Sequence, residues 1–397
     1  MQFSTISSTN RGSPKAKPQP MGKLVNFCAG IDIRNKPSDR IKDVLLNVPE
    51  HGSSDRRIEN ARKVLQSINY DHLLLDSGGY QILKAELKGR KISCSDSLPL
   101  VHGKDSINVT PMHVMKTAVI FQPDIVIGLD HPINPSFKTP ISRQIEFNKK
   151  TGKNIAFAYE SAMWHQKLCP QTKFFIPIQC NDSGQLGIIF NGLSGVAFDG
   201  VSMPIRNLSI SEIVNFLYSF YQRDILNIHL LGTSRLIIIA LCAFAARHLF
   251  KWVSIDSTTW NTAAIFSGFI HPSNLARIDL RPNGRRNYGD ANECLCPYCC
   301  GRNFSEIKGF PLAEKRTLLR KHNWWVIDQA FKDLYAASTS LNELEHYLRG
   351  RARCQCEIDE LIAALSPIEA IKSGIQSETQ DAWESIPSIE KLSCPSQ

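Results

Sequence analysis

Short apolar runs alternate with amphipathic segments of helical spacing from about residue 24 to residue 256. This alternation is typical of successive strand–helix units around a parallel sheet. The apolar runs predict strands over residues 25–29, 72–75, 124–129, 174–178, 195–201, 228–231 and 252–255. An eighth strand is expected near residues 153–159 or 266–270. The segments between the strands predict helices over 55–67, with Ser54 as N-cap, and over 112–121, 211–222 and 234–250.

Two α/β architectures contain such units: a closed (β/α)8 TIM barrel and an open, doubly wound sheet. Polar residues stand at or just after the ends of five predicted strands, at Asp76, Asp130, Gln179, Asp199 and Asp256. A closed barrel brings the carboxyl ends of all its strands to one mouth, so these side chains would share one pocket. We therefore predict a TIM barrel. After residue 323 the pattern becomes helical, over residues 324–337, 341–348 and 358–365.

The composition is that of a globular protein with a sizeable core, because 43% of the 397 residues are hydrophobic and 21% are charged. The net charge of +9 favours an anionic partner such as a nucleic acid. The positive charge concentrates in one region that contains fewer acidic residues. The basic residues of this region are Arg277, Arg281, Arg285, Arg286, Arg302, Lys308, Lys315, Arg316, Arg320 and Lys321.

The sequence predicts neither a membrane partner nor secretion. The longest apolar run, residues 236–246, has about half of the ~20 residues that a membrane-spanning helix needs, so we predict a buried helix there. The first twenty residues lack the apolar core of a signal peptide, and a disordered, basic lead-in is expected. Twelve cysteines without a signal peptide indicate a reducing compartment, and we expect a cytoplasmic location.

A compact cysteine cluster is the strongest metal signal in the chain. Cys294, Cys296 and Cys299 form a C-x-C-x2-C motif, and His322 follows 23 positions later. Three thiolates and one imidazole suit a tetrahedral zinc ion, and four protein ligands leave no open coordination position for catalysis. The cluster therefore predicts a structural zinc site. The alternative is a reduced, metal-free loop with His322 on the surface.

Other metal chemistry finds less support in the sequence. Cys300 could replace one ligand of the cluster, and Cys354 with Cys356 forms a second C-x-C pair that we expect to bind no metal. A zinc hydrolase would need a His-x-His or His-Glu-x-x-His pair with an open metal site, and the chain contains neither pair.

The strand pattern and the zinc cluster together predict the domain layout. We expect a disordered lead-in at 1–22, a catalytic TIM-barrel core at 23–270 and a zinc-binding subdomain at 271–325. C-terminal helices at 326–375 would close the barrel, and a flexible tail would follow at 376–397. The predicted fold is thus an α/β barrel with an inserted zinc-binding subdomain and C-terminal helices.

Two aspartates at strand ends could carry covalent chemistry. Asp76 opens the run Asp-Ser-Gly-Gly-Tyr-Gln, whose two glycines allow a tight turn and the close approach of a planar ligand. Asp256 ends the last predicted strand in the same way. Two carboxylates at one barrel mouth can divide the roles of nucleophile and general acid/base. The alternatives are an ordinary turn at Asp76 and a helix cap or surface ion pair at Asp256.

Five motifs in this chain resemble the tRNA-guanine transglycosylase superfamily, which includes DNA-acting relatives of the DpdA type. The run that begins at Asp76 is similar to the family's Asp-Ser-Gly-Gly-Phe-Gln motif, with Tyr80 in place of Phe. Residues 122–130 resemble the base-recognition strand, residues 176–179 the strand that ends in a purine-contacting Gln, and Asp256-Ser the nucleophile motif. The cysteine cluster with His322 resembles the family's zinc site. The resemblance covers roughly residues 70–325.

The resemblance implies exchange of guanine in a nucleic acid for a 7-deazaguanine base such as preQ0, preQ1 or queuine. Asp256 would attack C1′ of the sugar and form a covalent glycosyl–enzyme, while Asp76 would act as general acid and then as general base. Asp130 would accept the N1 and N2 protons of the purine. The target nucleotide would be flipped out or already unpaired, because a base inside a duplex cannot reach such a pocket.

The same resemblance implies further base-binding residues and partners. Gln179 and the backbone amide of Gly200 would bind the other edge of the base, Tyr80 would stack on it, and Ser77 would lie in the same pocket. Zinc would be the structural cofactor. The partners would be DNA or tRNA, the 7-deazaguanine base, and either a second copy of the chain or an accessory subunit.

Three segments depart from the family pattern. Residues 199–201 read Asp-Gly-Val where the family has Gly-Gly-Leu, residues 131–132 read His-Pro in place of Glu-Cys, and residues 257–261 read Ser-Thr-Thr-Trp-Asn in place of an arginine-bearing segment. Because these departures fall in segments expected to face the substrate, while both aspartates are kept, we lean slightly towards DNA over tRNA. A further alternative is a catalytically silent barrel that binds nucleic acid or an active partner subunit.

Overall fold

The computed structural model of the chain describes residues 22–30, 41–87, 98–102, 105–134, 139–206, 208–281, 294–299, 301–352 and 354–372. The expected lead-in before residue 22 and the expected tail at 376–397 lie outside these residues. Cys300, Arg285 and Arg286 lie outside them as well.

Eight parallel strands of the described residues close into a barrel, and four other strands form two antiparallel pairs. The strands along the chain are β1 (Lys23–Ala29), β2 (Asp43–Asn47), β3 (His72–Asp76), β4 (Leu98–His102), β5 (Asp105–Val109), β6 (Ile125–Ile127), β7 (Lys173–Pro177), β8 (Gly200–Pro204), β9 (Asn227–Leu231), β10 (Trp252–Ser257), β11 (Gly268–Ile270) and β12 (Arg277–Asp279). The barrel order is β1, β2, β3, β6, β7, β8, β9 and β10, and β10 pairs with β1 to close it. The predicted TIM barrel is confirmed.

Twelve α-helices accompany these strands within the described ranges. They are α1 (Asp55–Gln66), α2 (Gly79–Leu87), α3 (Pro111–Phe121), α4 (Pro140–Leu168), α5 (Ser183–Gly192), α6 (Ile210–Tyr221), α7 (Leu236–His248), α8 (Thr259–Ile265), α9 (Phe304–Gly309), α10 (Leu312–Ala337), α11 (Leu341–Arg349) and α12 (Gln355–Lys372). The four helices predicted between strands are α1, α3, α6 and α7, and each ends within two residues of its predicted bounds. The predicted helix at 324–337 begins earlier, at Leu312, so that His322 lies inside α10.

Helix α7 holds the most apolar run of the chain in the protein interior. Its residues from Leu236 to Ala246 are all buried, and it packs against β1, β10, α10 and α12. The predicted buried helix is confirmed. Among the described residues, no helix combines the length and the apolar character needed to cross a bilayer.

The eighth barrel strand is β2, which the sequence pattern did not reveal. It has only five residues, and a short π-helical turn over Val48–Gly52 separates it from the amphipathic helix α1. Both predicted locations of the eighth strand were wrong. Residues 153–159 lie inside the 29-residue helix α4, and residues 266–270 contribute to β11, which pairs with β12 outside the barrel.

Strand β8 begins five residues later, and ends three residues later, than predicted. The chain turns at Gly195, whose φ is +85°, and β8 begins only at Gly200. Asp199 therefore precedes the strand, and its Oδ2 accepts a hydrogen bond of 2.8 Å from the amide of Phe174, near the start of β7. Of the five polar residues expected at the mouth, Asp199 lies at the opposite end of the barrel.

Apolar side chains fill the barrel interior towards the amino ends of the strands, and polar side chains lie at the carboxyl-end mouth. The apolar layer consists of Val25, Phe27, Ala29, Leu45, Leu74, Ile125, Ile127 and Phe175. Alternate residues of a strand point to the same face. The alternation that turns Leu74 inwards on β3 therefore turns Asp76 inwards one repeat higher, and on β10 Asp256 lies two repeats above the inward-facing Trp252.

Candidate active site and metal centre

Four of the predicted site residues lie at the carboxyl ends of barrel strands. Asp76 is the last residue of β3, and Asp256 is the penultimate residue of β10. Asp130 and Gln179 follow the ends of β6 and β7 by two or three residues. The charges of Asp130 and Asp256 both act on Asp76. The structure thus brings three carboxyl groups into one electrostatically coupled pocket.

Asp76 is half-buried in this pocket, and its pKa is raised from 3.8 to about 8. Burial is the largest cause, because it penalises the ionised form, and the negative charges of Asp130 and Asp256 add to it. The amide of Gly78 donates a 3.1 Å hydrogen bond to Asp76 Oδ2, which opposes the shift only in part. At neutral pH Asp76 therefore carries a proton that it can give away.

The two residues after Ser77 must be glycines because neighbouring side chains leave no room for a Cβ atom at either position. Gly78 has a φ of +92°, and a Cβ on it would overlap the ring of Pro49. A Cβ on Gly79 would overlap the carboxylate of Asp130. Only glycine lets the backbone of this turn pass so close to both groups, which explains the Gly-Gly pair that the sequence showed.

Asp130 forms a buried polar cluster with Gln179 and Ser77. Gln179 Nε2 donates to Asp130 Oδ2 at 2.5 Å, and Ser77 Oγ lies 3.5 Å from Asp130 Oδ1. Gln179 Oε1 in turn accepts from the amide of Ile133 at 3.2 Å, which fixes its orientation. Burial raises the pKa of Asp130 to about 6, against the lowering effect of the hydrogen bonds from Gln179 and Ser77. The carboxyl group is therefore mostly ionised at neutral pH.

A second polar cluster behind Asp130 was not found from the sequence. Lys150 is only 1% exposed, and its Nζ lies 2.8 Å from Glu86 Oε2, 2.6 Å from Glu146 Oε1 and 2.6 Å from the carbonyl oxygen of Pro132. His131 Nε2 lies 2.5 Å from Glu86 Oε1. Burial alone would raise the pKa of Glu86, but the hydrogen bonds from His131 and Lys150 lower it to about 2. This network fixes the loop that carries Asp130. Glu146 and Lys150 four residues apart on α4 were the only sequence signal, and such pairs are usually surface ion pairs.

Asp256 is gripped by the turn that follows β9. The amide of Gly232 donates to Asp256 Oδ1 at 2.9 Å, and the amide of Thr233 donates to the Asp256 carbonyl oxygen at 3.1 Å. Gly232 has a φ of +86°, a conformation that glycine adopts without strain. The turn thus fixes Oδ1 by a hydrogen bond and takes no part in binding Oδ2.

The structure places Tyr80 beside the pocket and Gly200 away from it. Tyr80 stands in the first turn of α2 with 59% of its surface exposed, so its ring is free to meet a ligand. Gly200 is the first residue of β8 and pairs with Phe175. Since Pro177 pairs with Ser202, the residue level with Gln179 is Pro204, which has no amide hydrogen. Gly200 therefore lies at the amino end of the barrel and not at the mouth. The prediction for Gly200 was wrong because it placed the end of the strand near residue 201, where the strand in fact begins.

Cys294, Cys296, Cys299 and His322 converge on a buried cluster whose ligand atoms all lie within 4.8 Å of one another. His322 Nδ1 lies 3.5, 3.3 and 3.3 Å from the three sulfur atoms, in that order of the cysteines. Its Nε2 donates to the carbonyl oxygen of Ile270 at 2.8 Å, which leaves the lone pair of Nδ1 facing the sulfurs. Hydrogen bonds from the neighbouring cysteines lower the pKa of Cys296 and favour its thiolate. The cluster can hold a metal ion, and three sulfurs with one imidazole nitrogen fit tetrahedral zinc.

The second C-x-C pair takes no part in this cluster. Cys354 and Cys356 are joined to each other by a disulfide at the start of α12. The reducing environment inferred from the cysteine content did not predict this bond.

Comparison with known proteins adds an independent line of evidence. The family model described as queuine tRNA-ribosyltransferase matches residues 48–351, which is more than half of the 397 residues. No curated protein matches the chain significantly. The matched region contains all three pocket aspartates and all four residues of the metal centre. The chain therefore belongs to the queuine tRNA-ribosyltransferase family and is a guanine transglycosylase that acts on a nucleic acid.

Proposed function

We propose that the chain replaces guanine in tRNA by a 7-deazaguanine base through a covalent intermediate on Asp256. One observation carries the proposal: a proton-bearing carboxyl, Asp76, and an amide-held carboxylate, Asp256, share the pocket at one end of the barrel. A general acid and a nucleophile with different environments are the pair that glycosyl transfer needs.

The proposed reaction has two displacement steps at C1′ of the ribose. Asp256 Oδ2 attacks C1′, the bond between C1′ and the guanine nitrogen breaks, and its electron pair leaves with the base. Asp76 gives its proton to the departing guanine and becomes a carboxylate. It then takes a proton from the incoming 7-deazaguanine, whose nitrogen attacks C1′ and releases Asp256. Each proton that Asp76 loses is thus returned to it within one cycle.

Asp130 and Gln179 are the proposed readers of the base. The ionised Asp130 presents two acceptor oxygens, which suit the adjacent N1 and N2 protons of a guanine-like ring. Gln179 holds Asp130 Oδ2 through one lone pair of that oxygen, and the other lone pair stays available for the base. Ser77 lies against Oδ1 in the same cluster. Tyr80, exposed beside the pocket, is proposed to stack on the base once the nucleotide is flipped out.

The identity of the polymer rests on the segments that depart from the family pattern. Residues 199–201 lie at the amino end of the barrel, so they do not support a different polymer. In the segment after Asp256, the buried Trp260 donates to the carbonyl oxygen of Ala29, and Asn261 accepts from Arg320. These side chains have partners within the protein. These two departures from the family pattern therefore no longer support DNA as the polymer. The description of the matched family names tRNA, and we propose tRNA for that reason.

Zinc is the proposed occupant of the metal centre, held by Cys294, Cys296, Cys299 and His322. An ion with four protein ligands supplies no open coordination position, so its contribution is to the fold rather than to a reaction step. The proposed metal-binding subdomain consists of the β11–β12 pair, the loop at 294–299 and the first part of α10.

The test is incorporation of labelled guanine by the purified protein, run in parallel on unmodified tRNA and on single-stranded and duplex DNA. Label is expected in tRNA, and a covalent protein–nucleic acid adduct should persist in denaturing gels. Asp256→Asn should give neither label nor adduct while it still binds the polymer. Label in DNA alone would move the proposal to DNA. Label in neither polymer, with fold and metal intact, would refute base exchange by the chain alone and favour a silent barrel or an obligate partner subunit.

A further inference from the structure

His229 lies in the barrel interior directly below the carboxylate of Asp256. It stands on β9 and is fully buried, with its ring packed edge-on against Phe27 at a centroid distance of 5.9 Å. Its Nε2 lies 3.5 Å from Asp256 Oδ1 and has no other polar partner. Its Nδ1 lies 2.9 Å from Ser254 Oγ, on the strand that also carries Asp256. A buried polar nitrogen directed at the pocket needs an explanation.

The contacts of Ser254 determine which nitrogen of His229 carries a hydrogen. Trp252 Nε1 can only donate, and it donates to Ser254 Oγ at 3.1 Å. The hydroxyl hydrogen of Ser254 has two acceptors in reach: His229 Nδ1 at 2.9 Å and the carbonyl oxygen of Ile228 at 3.4 Å. The shorter contact favours Nδ1 as the acceptor. The ring hydrogen of His229 then resides on Nε2 and points at Asp256.

The opposite tautomer would face two electron-rich atoms towards each other. With the hydrogen on Nδ1, the lone pair of Nε2 would stand 3.5 Å from a carboxylate oxygen in a buried interior, where such repulsion is poorly screened. With the hydrogen on Nε2, the same distance becomes a donor–acceptor contact that a small rotation of either side chain shortens. Contacts of this kind often tighten only when substrate binds.

We propose that His229 is a positioning residue for the nucleophile, which donates from Nε2 to Asp256 Oδ1. This inference rests on the proposed role of Asp256 as nucleophile. Together with the amide of Gly232, which donates to the same oxygen at 2.9 Å, the imidazole saturates Oδ1 and leaves Oδ2 to attack C1′. When the second displacement releases Asp256, negative charge returns to a carboxylate whose Oδ1 already has two donors.

Two substitutions of His229 distinguish a role as hydrogen-bond donor from a role in packing alone. His229→Phe keeps a planar ring against Phe27 and removes the nitrogen, whereas His229→Gln keeps an amide hydrogen within reach of Asp256. In the guanine-incorporation assay on tRNA, His229→Phe should lower kcat about 100-fold, as the loss of one aligned donor does, with KM for guanine and for tRNA unchanged. His229→Gln should recover kcat to within about tenfold of wild type. Equal kcat in wild type and His229→Phe would overturn the proposal, as would equal losses in both variants.

Nitrogen NMR of the histidine side chains tests the contact independently of catalysis. In protein labelled with ¹⁵N-histidine, the signals missing from His229→Gln identify His229, and its Nε2 should show the shift of a protonated ring nitrogen. An unprotonated Nε2 would overturn the proposal even in an active enzyme. If the wild-type protein transfers no label at all, the proposed function fails, and the NMR experiment still decides whether His229 carries its hydrogen on Nε2, the nitrogen that faces Asp256.

Discussion

Replacing Asp76 by Asn should make the protein inactive and more stable at the same time. Folding raises the pKa of the Asp76 carboxyl from 3.8 to about 8, and each unit corresponds to about 1.4 kcal/mol. Between these two pH values the unfolded chain is ionised at this residue while the folded protein holds the proton. The folded state therefore loses stability as pH rises from about 4 to about 8, and loses no more above that.

At pH 7 this loss reaches at most about 4 kcal/mol, since pH 7 lies about three units above the pKa of the unfolded chain. Asp76 is only half-buried, so we expect water to reduce the effect to roughly 2 kcal/mol. Asparagine does not ionise in either state and escapes the loss. Asp76→Asn should therefore be more stable than wild type by roughly 2 kcal/mol at pH 7, and equally stable near pH 4.

Urea unfolding at pH 4 and at pH 7 measures the difference, and guanine incorporation should fall at least about 100-fold because the amide cannot act as an acid. Asp224→Asn is the matched control, because Asp224 is exposed and has a φ of +57°, which asparagine also adopts. The control should change neither stability nor activity. A stability gain that is absent at pH 7, or equally large at pH 4, would refute a raised pKa at Asp76.

Three further predictions follow from the polar clusters. KM for guanine should rise about tenfold per pH unit below pH ~6, because protonated Asp130 loses an acceptor; a flat profile to pH 5 would contradict its role. Lys150→Met should lower the unfolding free energy by about 3–5 kcal/mol, because it leaves the buried Glu146 without its ion-pair partner and leaves Glu86 with His131 alone; urea titration measures this. Cys296→Ser should release the metal, measured as zinc per chain, whereas Cys354→Ser should keep it.

The barrel could be predicted from the sequence because most of its strands are separated by helices of clear amphipathic spacing. Strand β2 was missed because it has only five residues and because the turn Val48–Gly52 separates it from helix α1, which begins at Asp55. Strand β8 was placed too early because the apolar residues at 195–198 resemble a strand, although Gly195 turns the chain there. That error moved Gly200 from one end of the barrel to the other. An apolar run indicates that a segment is buried, but it does not indicate at which residue the segment begins to pair with the neighbouring strand.

The sequence could predict those site residues that stand at or just after the end of an apolar strand. Asp76, Asp130, Gln179 and Asp256 each follow an apolar run, and the barrel brings them together. Their partners could not be predicted, because they come from elements distant in sequence. Glu86 reaches Lys150 across 64 residues, and Asp256 meets Gly232 across 24.

The position of the metal centre suggests how the proposed zinc ion, although outside the pocket, would support the proposed chemistry inside it. His322 is followed by the fully buried Asn323 on α10. The Asn323 amide donates to the carbonyl oxygens of Trp260 at 3.1 Å and Gly268 at 3.0 Å, and its oxygen accepts from the amide of Ile270 at 2.9 Å.

Trp260 lies on α8, just after the strand that carries Asp256, and its Nε1 donates to the carbonyl oxygen of Ala29 at the end of β1. Two hydrogen bonds in series, from Asn323 to Trp260 and from Trp260 to Ala29, thus connect the residue next to His322 to the end of β1, and α8 itself follows β10 directly. Because β1 and β10 are the first and last barrel strands, their junction has no intervening chain to hold it. The proposed zinc ion, by fixing α10, would fix this junction and with it the position of Asp256.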